Sequence, residues 1–437
     1  MDLITVSIFL AGCIAGMATG IVPGLGPAHL LAILYTWMVG WNPLHLMIFY
    51  VAYITISNFV DTIPSLYFGV PGEVSAIPAS KESGNLAQAG LTQHAIQLTA
   101  LGRLLGSVIA LGASYFIISW LLSFPQIFAS RWQITFYIVT IICIALSATN
   151  RWWENAGLML AGFVLSAVGY NYYTQKTYFT GGWVDLYTGI PLLPFLIGIY
   201  VIPQLLKNLE IKQTRVKTHI VDHHRRYFGP MLRGSVIGYI LGLVPGMSYI
   251  MGSSAAYTSE KWLQQRRPTE QNSNLASVIA SETASNAGSM SVLIPLLLFG
   301  IPIIASEAII YDLMVDSGAI FTLGSFLINN YVILASWFMV ACVLGVVLSW
   351  PLATLGRSVA EKLLDKKFIW SLVILIVASL FVEAWTSQKL FLYLLTLIVS
   401  LIVGFALRNK DVMPMVFVFV LGASMQSVIY NLIQLYF

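Results

Sequence analysis

Apolar runs long enough to cross a lipid bilayer recur from one end of this sequence to the other. A bilayer core about 30 Å thick needs about 20 residues of helix, and the runs are continuous, unlike the alternating strands of a membrane barrel. Only 9% of the 437 residues are charged and 58% are hydrophobic, whereas a soluble domain carries about 25% charged residues. We therefore predict an all-α polytopic membrane protein.

Ten of the runs are predicted to be full crossings, five in each half of the chain. In the first half they lie near 44–66, 94–122, 132–149, 155–172 and 190–206. In the second half they lie near 272–298, 331–353, 368–384, 390–407 and 412–437. An odd number of crossings turns the second half upside down relative to the first, which predicts two inverted-topology repeats. Inverted repeats are typical of secondary transporters.

The basic residues predict the orientation, because short cytoplasmic loops hold most of the Lys and Arg of a membrane protein. Of the 22 Lys and Arg, only Arg131, Lys176 and Lys389 fall outside the loops that we assign to one face. The longest basic stretch, 207–233, is predicted to be a cytoplasmic linker between a first repeat, 1–206, and a second repeat, 234–437. We expect a multi-pass protein of the plasma (inner) membrane with both termini outside.

Each half begins with the same interrupted motif. "GCIAGMATGIVPGLGP" (12–27) and "GSVIGYILGLVPGMSY" (234–249) match at a constant offset of 222 residues. Glycines four residues apart let helices pack closely, which accounts for the first glycines of each copy but not for the Pro-Gly pairs. We predict that each Pro-Gly pair is the bend of a re-entrant helical hairpin. A broken helix that crosses the membrane fully is the alternative.

A second pair of breaks follows, at "FGVPGEVS" (68–75) and "FGIPIIAS" (299–306). In each copy another proline, Pro64 or Pro295, stands seven residues before the proline of the quoted motif. Upstream of them, Ser57-Asn58 resembles Ser285-Asn286. Irregular backbone at membrane depth is tolerated only where protein or a water-filled cavity surrounds it. Four such breaks predict an interior polar site, in which helix N-termini suit a carboxylate and helix C-termini suit a cation such as Na⁺.

Few acidic side chains fall within the apolar segments, and ionisable groups at that depth are functional candidates. Asp61 and Glu282 are candidates for coupling to H⁺ or Na⁺, whereas interfacial placement is the alternative for the other two acidic residues, Glu73 and Glu307. Candidates for neutral contacts with substrate or ion are Ser57, Asn58, Ser253, Ser285 and Asn286. Arg103, in "LGRLLG", is expected to extend to the inner face, with pairing to an anionic substrate as the alternative.

Several of these segments resemble the large membrane subunit of tripartite tricarboxylate transporters, the TctA family. The most specific is "GIVPGLGPAHLLA" (20–32), and "GLVPGMSY" is a weaker second copy. "SETASNAGSMSVLIPLLLFGIP" (281–302), "GIPLLPFLIGIYVIPQLL" (189–206) and "VGFALRNKDVMP" (403–414) are similar to further family segments. The sequence departs from the family pattern at Met247-Ser248, Glu73, Ile303 and Gln426.

The resemblance implies uptake of small di- or tricarboxylates, driven by an ion gradient. It also implies two partners, a small membrane subunit and a periplasmic solute-binding protein. The site residues that it implies are Pro23, Gly24, Leu25, Gly26, Pro27, Asn58, Pro71, Gly72, Pro245, Gly246, Glu282, Asn286 and Pro302. Met247 and Ser248, where the second motif departs from the family pattern, are included in the predicted site.

The sequence thus predicts an ion-coupled secondary transporter for small organic anions, with one midplane site between inverted repeats. The alternatives are a solute or ion channel, or a permease subunit that is inactive without its partners. We expect no enzymatic activity, no cofactor beyond Na⁺ or H⁺ as coupling ion, no fixed metal and no nucleic-acid partner. A homodimer is one assembly that the sequence leaves open.

Overall fold

The computed structural model describes the helical framework on both sides of the predicted breaks. The described residues are 3–21, 27–68, 74–123, 151–171, 174–203, 206, 227–243, 248–266, 273–300, 302, 304–319, 325–363, 366–386, 388–410, 412, 414–416, 418–419, 422 and 426. The predicted crossing at 132–149 and most of the one at 412–437 lie outside them. Both stay predictions.

Helices make up most of the described chain. In the first half they are α1 (Leu3–Ile21), α2 (Pro27–Met38), α3 (Pro43–Val60), α4 (Thr62–Phe68), α5 (Ile77–Gln88), α6 (Thr92–Leu122), α7 (Trp152–Ser166) and α8 (Leu192–Leu196). In the second half they are α9 (Phe228–Leu243), α10 (Ser248–Arg266), α11 (Ser273–Phe299), α12 (Ala305–Asp316), α13 (Ser325–Leu363), α14 (Lys366–Thr386) and α15 (Leu390–Ala406).

Short irregular elements complete the described part. The 3₁₀ turns Val74–Ala76 and Val184–Thr188 precede α5 and α8, and a π-helical turn, Ile197–Val201, continues α8. Gly169–Asn171 (β1) and Lys176–Tyr178 (β2) pair antiparallel, with Tyr170 opposite Thr177. Apart from this hairpin of two three-residue strands, the regular elements of the described part are helical, which agrees with the all-α prediction. The predicted crossing at 155–172 was too long, because its helix ends at Ser166.

The centre of the molecule is built on α3 and α11. The side chain of Asn42 caps α3 by accepting a hydrogen bond from the Leu44 N–H (2.8 Å), and Pro43 stands in the first turn. From Leu46 to Val60 every residue of α3 is buried. In α11, every residue from Leu275 to Leu298 is buried. A helix enclosed on all sides belongs to a protein interior and not to a lipid-facing surface.

Glycines set how closely these central helices approach their neighbours. A Cβ added to Gly12, Gly16 or Gly20 of α1 would lie 2.6, 2.5 or 2.7 Å from a carbonyl oxygen of α3. The carbonyls belong to Phe49, Tyr53 and Ser57. In the same way Gly234, Gly238 and Gly242 of α9 meet the carbonyls of Ala280, Ala284 and Gly288 of α11. The prediction that the early glycines of each motif pack helices together is confirmed.

These contacts relate the two helix pairs residue by residue. The glycines of α1 and α9 differ by 222 residues, and the carbonyls that they meet on α3 and α11 differ by 231. Phe68 and Phe299, which end α4 and α11, also differ by 231. The resemblance between Ser57-Asn58 and Ser285-Asn286 is therefore misaligned by three residues. Asn58 instead corresponds to Ser289.

Helix boundaries stand on both sides of every predicted break. α1 ends at Ile21 and α9 at Leu243, again 222 residues apart, and α2 and α10 begin at Pro27 and Ser248. α10 folds back along α9, since a Cβ on Gly252 would lie 3.1 Å from the Cα of Gly238. This contact is the one expected of a helical hairpin. α2 packs chiefly against α12 and α14, so the fully crossing alternative stays open for the first copy.

By length and composition, four described helices can cross a bilayer: Leu3–Ile21, Pro43–Tyr67, Thr92–Leu121 and Phe326–Thr354. Shorter apolar helices are Leu192–Val201, Phe228–Leu243, Val373–Val382 and Leu390–Ala406. The predicted crossing at 272–298 is helical from Ser273 onwards but is rich in Ser, Thr and Asn. Because protein covers it on all sides, it does not need the apolar surface of a lipid-facing span. The count of ten crossings stays a prediction.

Candidate functional site

A buried arginine joins two carboxylates at the centre of the molecule. Arg103 of α6 donates from Nη2 to Oδ1 of Asp61 (2.9 Å) and to Oε2 of Glu282. The exposed fractions of these three residues are 1%, 2% and 0%. The expectation that Arg103 extends to the inner face was therefore wrong. Its partners lie inside the protein, where a charge must be paired or bound.

Three helices position these charges. Asp61 follows α3 directly, and its backbone N–H still donates to the Ser57 carbonyl (2.9 Å), so its side chain leaves at the joint between α3 and α4. Glycines beside Arg103 bring α6 against α11. A Cβ on Gly106 would lie 3.0 Å from the carbonyl oxygen of Thr283, the residue after Glu282. This close approach allows the guanidinium to reach both carboxylates.

This triad, which we define as Asp61, Arg103 and Glu282, has two carboxyl groups for one guanidinium. When both carboxyl groups are ionised, the triad has an excess of one negative charge. The Thr62 hydroxyl lies 3.3 Å from Oε2 of Glu282 and 3.5 Å from Oδ1 of Asp61, but a hydroxyl contributes no charge. Removing water from charges costs several kcal/mol per ion unless they are fully paired. The triad therefore favours the arrival of one further positive charge.

Two asparagines are fixed beside the triad. Asn286 donates from Nδ2 to the Arg103 carbonyl (3.0 Å) and to the Ser107 hydroxyl (2.5 Å). Asn58 donates to the hydroxyl of Ser289, its counterpart at the 231-residue offset, at 3.2 Å. All four side chains are at most 4% exposed. The two helix pairs thus meet directly at this point.

Several polar atoms at this place have no hydrogen-bond partner within the described part of the chain. They are Nε and Nη1 of Arg103, Oε1 of Glu282, Oδ1 of Asn58, Oδ1 of Asn286 and Oγ of Ser285. An unpaired buried polar group costs about 1–3 kcal/mol. Native proteins have few such groups, and one explanation for them is a ligand that pairs with them.

A second polar cluster joins α5 to α10. Ser253 donates to the Ser75 carbonyl (2.5 Å) and lies 2.8 Å from the hydroxyl of Ser281, next to Glu282. Further along α10, Tyr257 and Lys261 contact Oε1 of Glu82 at 2.5 and 2.8 Å. Burial opposes ionisation of Glu82, but hydrogen bonds from Lys261, Tyr257 and Asn85 outweigh it and lower its pKa. Glu82 therefore stays ionised and links α5 to α10, the helices that follow one predicted break in each half of the chain.

The structure brings some predicted site residues together and leaves others aside. Asn58, Asp61, Glu282, Ser285 and Asn286 meet at the triad. Ser57 accepts from Thr19 at 3.2 Å and faces α1. The carbonyl of Pro27 accepts from Tyr53 (2.8 Å), Ser248 begins α10, and Pro302 is buried after α11. Lying outside the described residues are Pro23, Gly24, Leu25, Gly26, Pro71, Gly72, Pro245, Gly246 and Met247.

Sequence reasoning gave an interior role for Arg103 only as the alternative, and it missed Thr62, Ser107 and Ser289. Arg103 had a usable signal, because it stands inside an apolar run that also lacks any acidic residue. An intramembrane arginine requires a counter-charge from another helix. The three hydroxyl residues had no such signal, since Ser and Thr are common in membrane helices.

The triad occurs once and not twice. At the 231-residue offset, Val292 takes the place of Asp61 and Val51 takes the place of Glu282. Val51 lines an apolar cavity together with Ile294 and Leu334. The two helix pairs share their packing but not their charges, so the charged site is asymmetric.

Comparison with known proteins agrees with this architecture. The model of the tripartite tricarboxylate transporter TctA family matches residues 6–419. An uncharacterised 52.8 kDa protein in the TAR-I ttuC′ 3′ region of Agrobacterium vitis is 24% identical over 432 residues, which cover 95% of this chain and 84% of that protein. An uncharacterised protein of Methanocaldococcus jannaschii is 26% identical over 265 residues, 59% of this chain and 61% of that protein.

No solved structure matches this chain. The family match covers nearly the whole sequence, and the long apolar helices agree with a multi-pass membrane protein. The chain belongs to the tripartite tricarboxylate transporter TctA family.

Proposed function

We propose that this chain is an ion-coupled secondary transporter subunit that takes up small di- or tricarboxylates. The observation that carries the proposal is the buried triad with its unpaired atoms. Nε and Nη1 of Arg103 have no acceptor in the described part of the structure, and hydrogen bonds from a guanidinium N–H to a carboxylate are charge-assisted and strong. The family to which the chain belongs is a transporter family by its description.

The substrate carboxylate binds Arg103 next to Asp61 and Glu282. Two negative charges already stand there, so an incoming anion is repelled until a cation compensates them. Binding of anion and cation is therefore mutually favourable, and a coupling of this type is reciprocal. Na⁺ or H⁺ fills the role of coupling ion.

Alternating access follows from two repeats, 1–206 and 234–437, that move relative to each other around this site, with 207–233 as a cytoplasmic linker. The common packing of α1 on α3 and of α9 on α11 supports this division. The inverted orientation is inferred from the basic residues of the loops. The protein lies in the inner membrane with both termini outside. A small membrane subunit and a solute-binding protein complete the system.

Cysteine labelling tests the inverted topology. With Trp41→Cys and Trp262→Cys introduced separately, a membrane-impermeant maleimide added to intact cells should label only position 41. Position 262 should react only after the membrane is opened. The unmodified chain gives the background, to which Cys13 and Cys342 contribute little because both are buried. The third cysteine, Cys143, lies outside the described residues. Labelling of both positions from the same side contradicts the proposed topology.

Transport in liposomes tests the function. The purified protein, alone and with its partner subunits, is reconstituted, and uptake of labelled di- and tricarboxylates is measured with and without a Na⁺ or H⁺ gradient. We expect saturable uptake that a gradient drives above equilibrium. Non-saturating flux that ignores both gradients indicates a channel instead. Uptake that requires the partners indicates a permease subunit inactive by itself.

A further inference from the structure

One face of α11 presents a row of buried oxygen atoms. Glu282, Ser285, Asn286 and Ser289 are spaced at i, i+3, i+4 and i+7, so they share a face of the helix. Oε1 of Glu282, Oγ of Ser285 and Oδ1 of Asn286 have no hydrogen-bond partner among the described residues, and neither has Oδ1 of Asn58, which is held at Ser289. The side chains of Glu282, Ser285, Asn286 and Asn58 are between 0% and 2% exposed.

The hydrogen bonds fix which end of each amide is unpaired. Nδ2 of Asn286 contacts the Arg103 carbonyl oxygen, which only accepts, so Oδ1 is the free atom. The Ser289 hydroxyl donates its hydrogen to the backbone carbonyl of Asn286 (2.9 Å). Asn58 must therefore donate to the Ser289 hydroxyl through Nδ2, which leaves the Oδ1 of Asn58 unpaired. The row therefore consists of acceptors, three of them without any hydrogen to give.

The chemistry of the row selects its ligand. A proton on Glu282 would satisfy one pair of acceptors and leave the other oxygens unpaired. A hard cation binds carboxylate, amide and hydroxyl oxygens together. Its charge should be one, because the triad has an excess of one negative charge when both carboxyl groups are ionised. Na⁺ meets these requirements, and sites of this kind accompany broken helices in ion-coupled transporters.

We propose that Na⁺ binds between α3 and α11 at Oε1 of Glu282, Oγ of Ser285 and the Oδ1 atoms of Asn286 and Asn58. This inference rests on the proposed function, and it names the coupling ion and its ligands. The Na⁺ site and the unpaired N–H groups of Arg103 are adjacent but separate. Na⁺ neutralises the excess charge of the triad, after which Arg103 accepts the substrate carboxylate.

Binding of Na⁺ can be measured without any substrate. The purified protein is heated in detergent with increasing NaCl, with choline chloride keeping the ionic strength constant, and the apparent melting temperature is recorded. A ligand that binds only the folded state raises that temperature in a saturable manner. We expect Na⁺ to do so at neutral pH. Stabilisation by a lower pH with no effect of Na⁺ overturns the proposal in favour of a proton.

Two serines of the same helix give a matched pair of variants. Ser285→Ala removes a proposed ligand and should raise the half-saturating Na⁺ concentration at least about tenfold, the effect typical of groups that merely support a metal ligand. Ser291→Ala is the control, because the Ser291 hydroxyl is equally buried but already donates to the Gly288 carbonyl (2.9 Å). Equal Na⁺ dependence in both variants overturns the proposed site.

Counterflow separates this inference from the function on which it rests. Liposomes loaded with unlabelled carboxylate exchange it for external labelled carboxylate at equal Na⁺ on both sides. Exchange by a protein whose melting temperature ignores Na⁺ leaves the transport function standing and overturns the Na⁺ site. Saturable stabilisation by Na⁺ with the expected difference between the serine variants supports the site, and absence of exchange then counts against carboxylate transport alone.

Discussion

Replacing Arg103 by methionine is expected to abolish carboxylate uptake in liposomes and to lower the stability of the protein as well. The substitution leaves Asp61 and Glu282 buried without their shared partner. Removing one member of a buried ion pair costs about 3–5 kcal/mol, because the remaining charge stays uncompensated. Uptake measured on the folded fraction should still be absent, since no donor remains for the substrate carboxylate.

Two further variants separate folding from transport. Arg103→Lys keeps the positive charge but lacks the planar fork of N–H groups, so we expect normal insertion and uptake reduced about a hundredfold, equivalent to about 2.7 kcal/mol. The triple variant R103M/D61N/E282Q removes all three charges and should recover stability without recovering uptake. Uptake by the triple variant with an unchanged KM would show that the triad does not bind substrate.

How far the sequence could predict this site depends on the range of each interaction. Asp61 and Glu282 could each be identified from the sequence, because an acidic residue in an apolar segment has few structural explanations. That Arg103 is their common partner could not be identified from the sequence. Arg103 is separated from Asp61 by 42 residues and from Glu282 by 179, and only the packing of α6 against α11 brings them together.

The fold was predictable where it depends on helix length and glycine spacing. Apolar runs predicted α3, α6 and α13, and the repeated glycines predicted the packing of α1 and α9. The sequence overestimated the helix after Trp152, because the apolar run continues through "LSAV" (165–168) although Gly169 has a φ of +121°. Apolar content does not reveal such a conformation, which favours glycine and ends the helix.

The register of the two helix pairs needed the structure as well. Ser-Asn occurs at 57–58 and again at 285–286, and identity of letters favoured that alignment. The carbonyls that receive the glycines instead pair Ser57 with Gly288. Contacts of the backbone preserve a repeat after its side chains have diverged. Asp61 and Glu282 therefore have valines as counterparts, and the charged site belongs to the chain as a whole.

Adding a single methyl group at Gly238 should destabilise the protein strongly. The new Cβ of Gly238→Ala would collide with the carbonyl oxygen of Ala284 and lie 2.5 Å from its Cα. Backbone atoms of a fully enclosed helix cannot move aside cheaply, and overpacking of this kind costs about 1–3 kcal/mol. We expect a lower apparent melting temperature in detergent, and reduced uptake because α11 also carries Glu282. Gly16→Ala should lower the melting temperature in the same way, because its Cβ would lie 2.5 Å from the carbonyl oxygen of Tyr53.

Gly112→Ala is the matched control for this substitution. Gly112 also stands inside a helix, α6, but a Cβ there meets nothing within 4 Å. Alanine is favoured over glycine in a helix interior by about 1 kcal/mol, so this variant should melt at the same temperature as the unmodified protein or above it. If Gly238→Ala and Gly112→Ala melted alike, α9 and α11 would not be in close contact. The 231-residue register would then lose its basis, and with it the common packing on which the two proposed repeats depend.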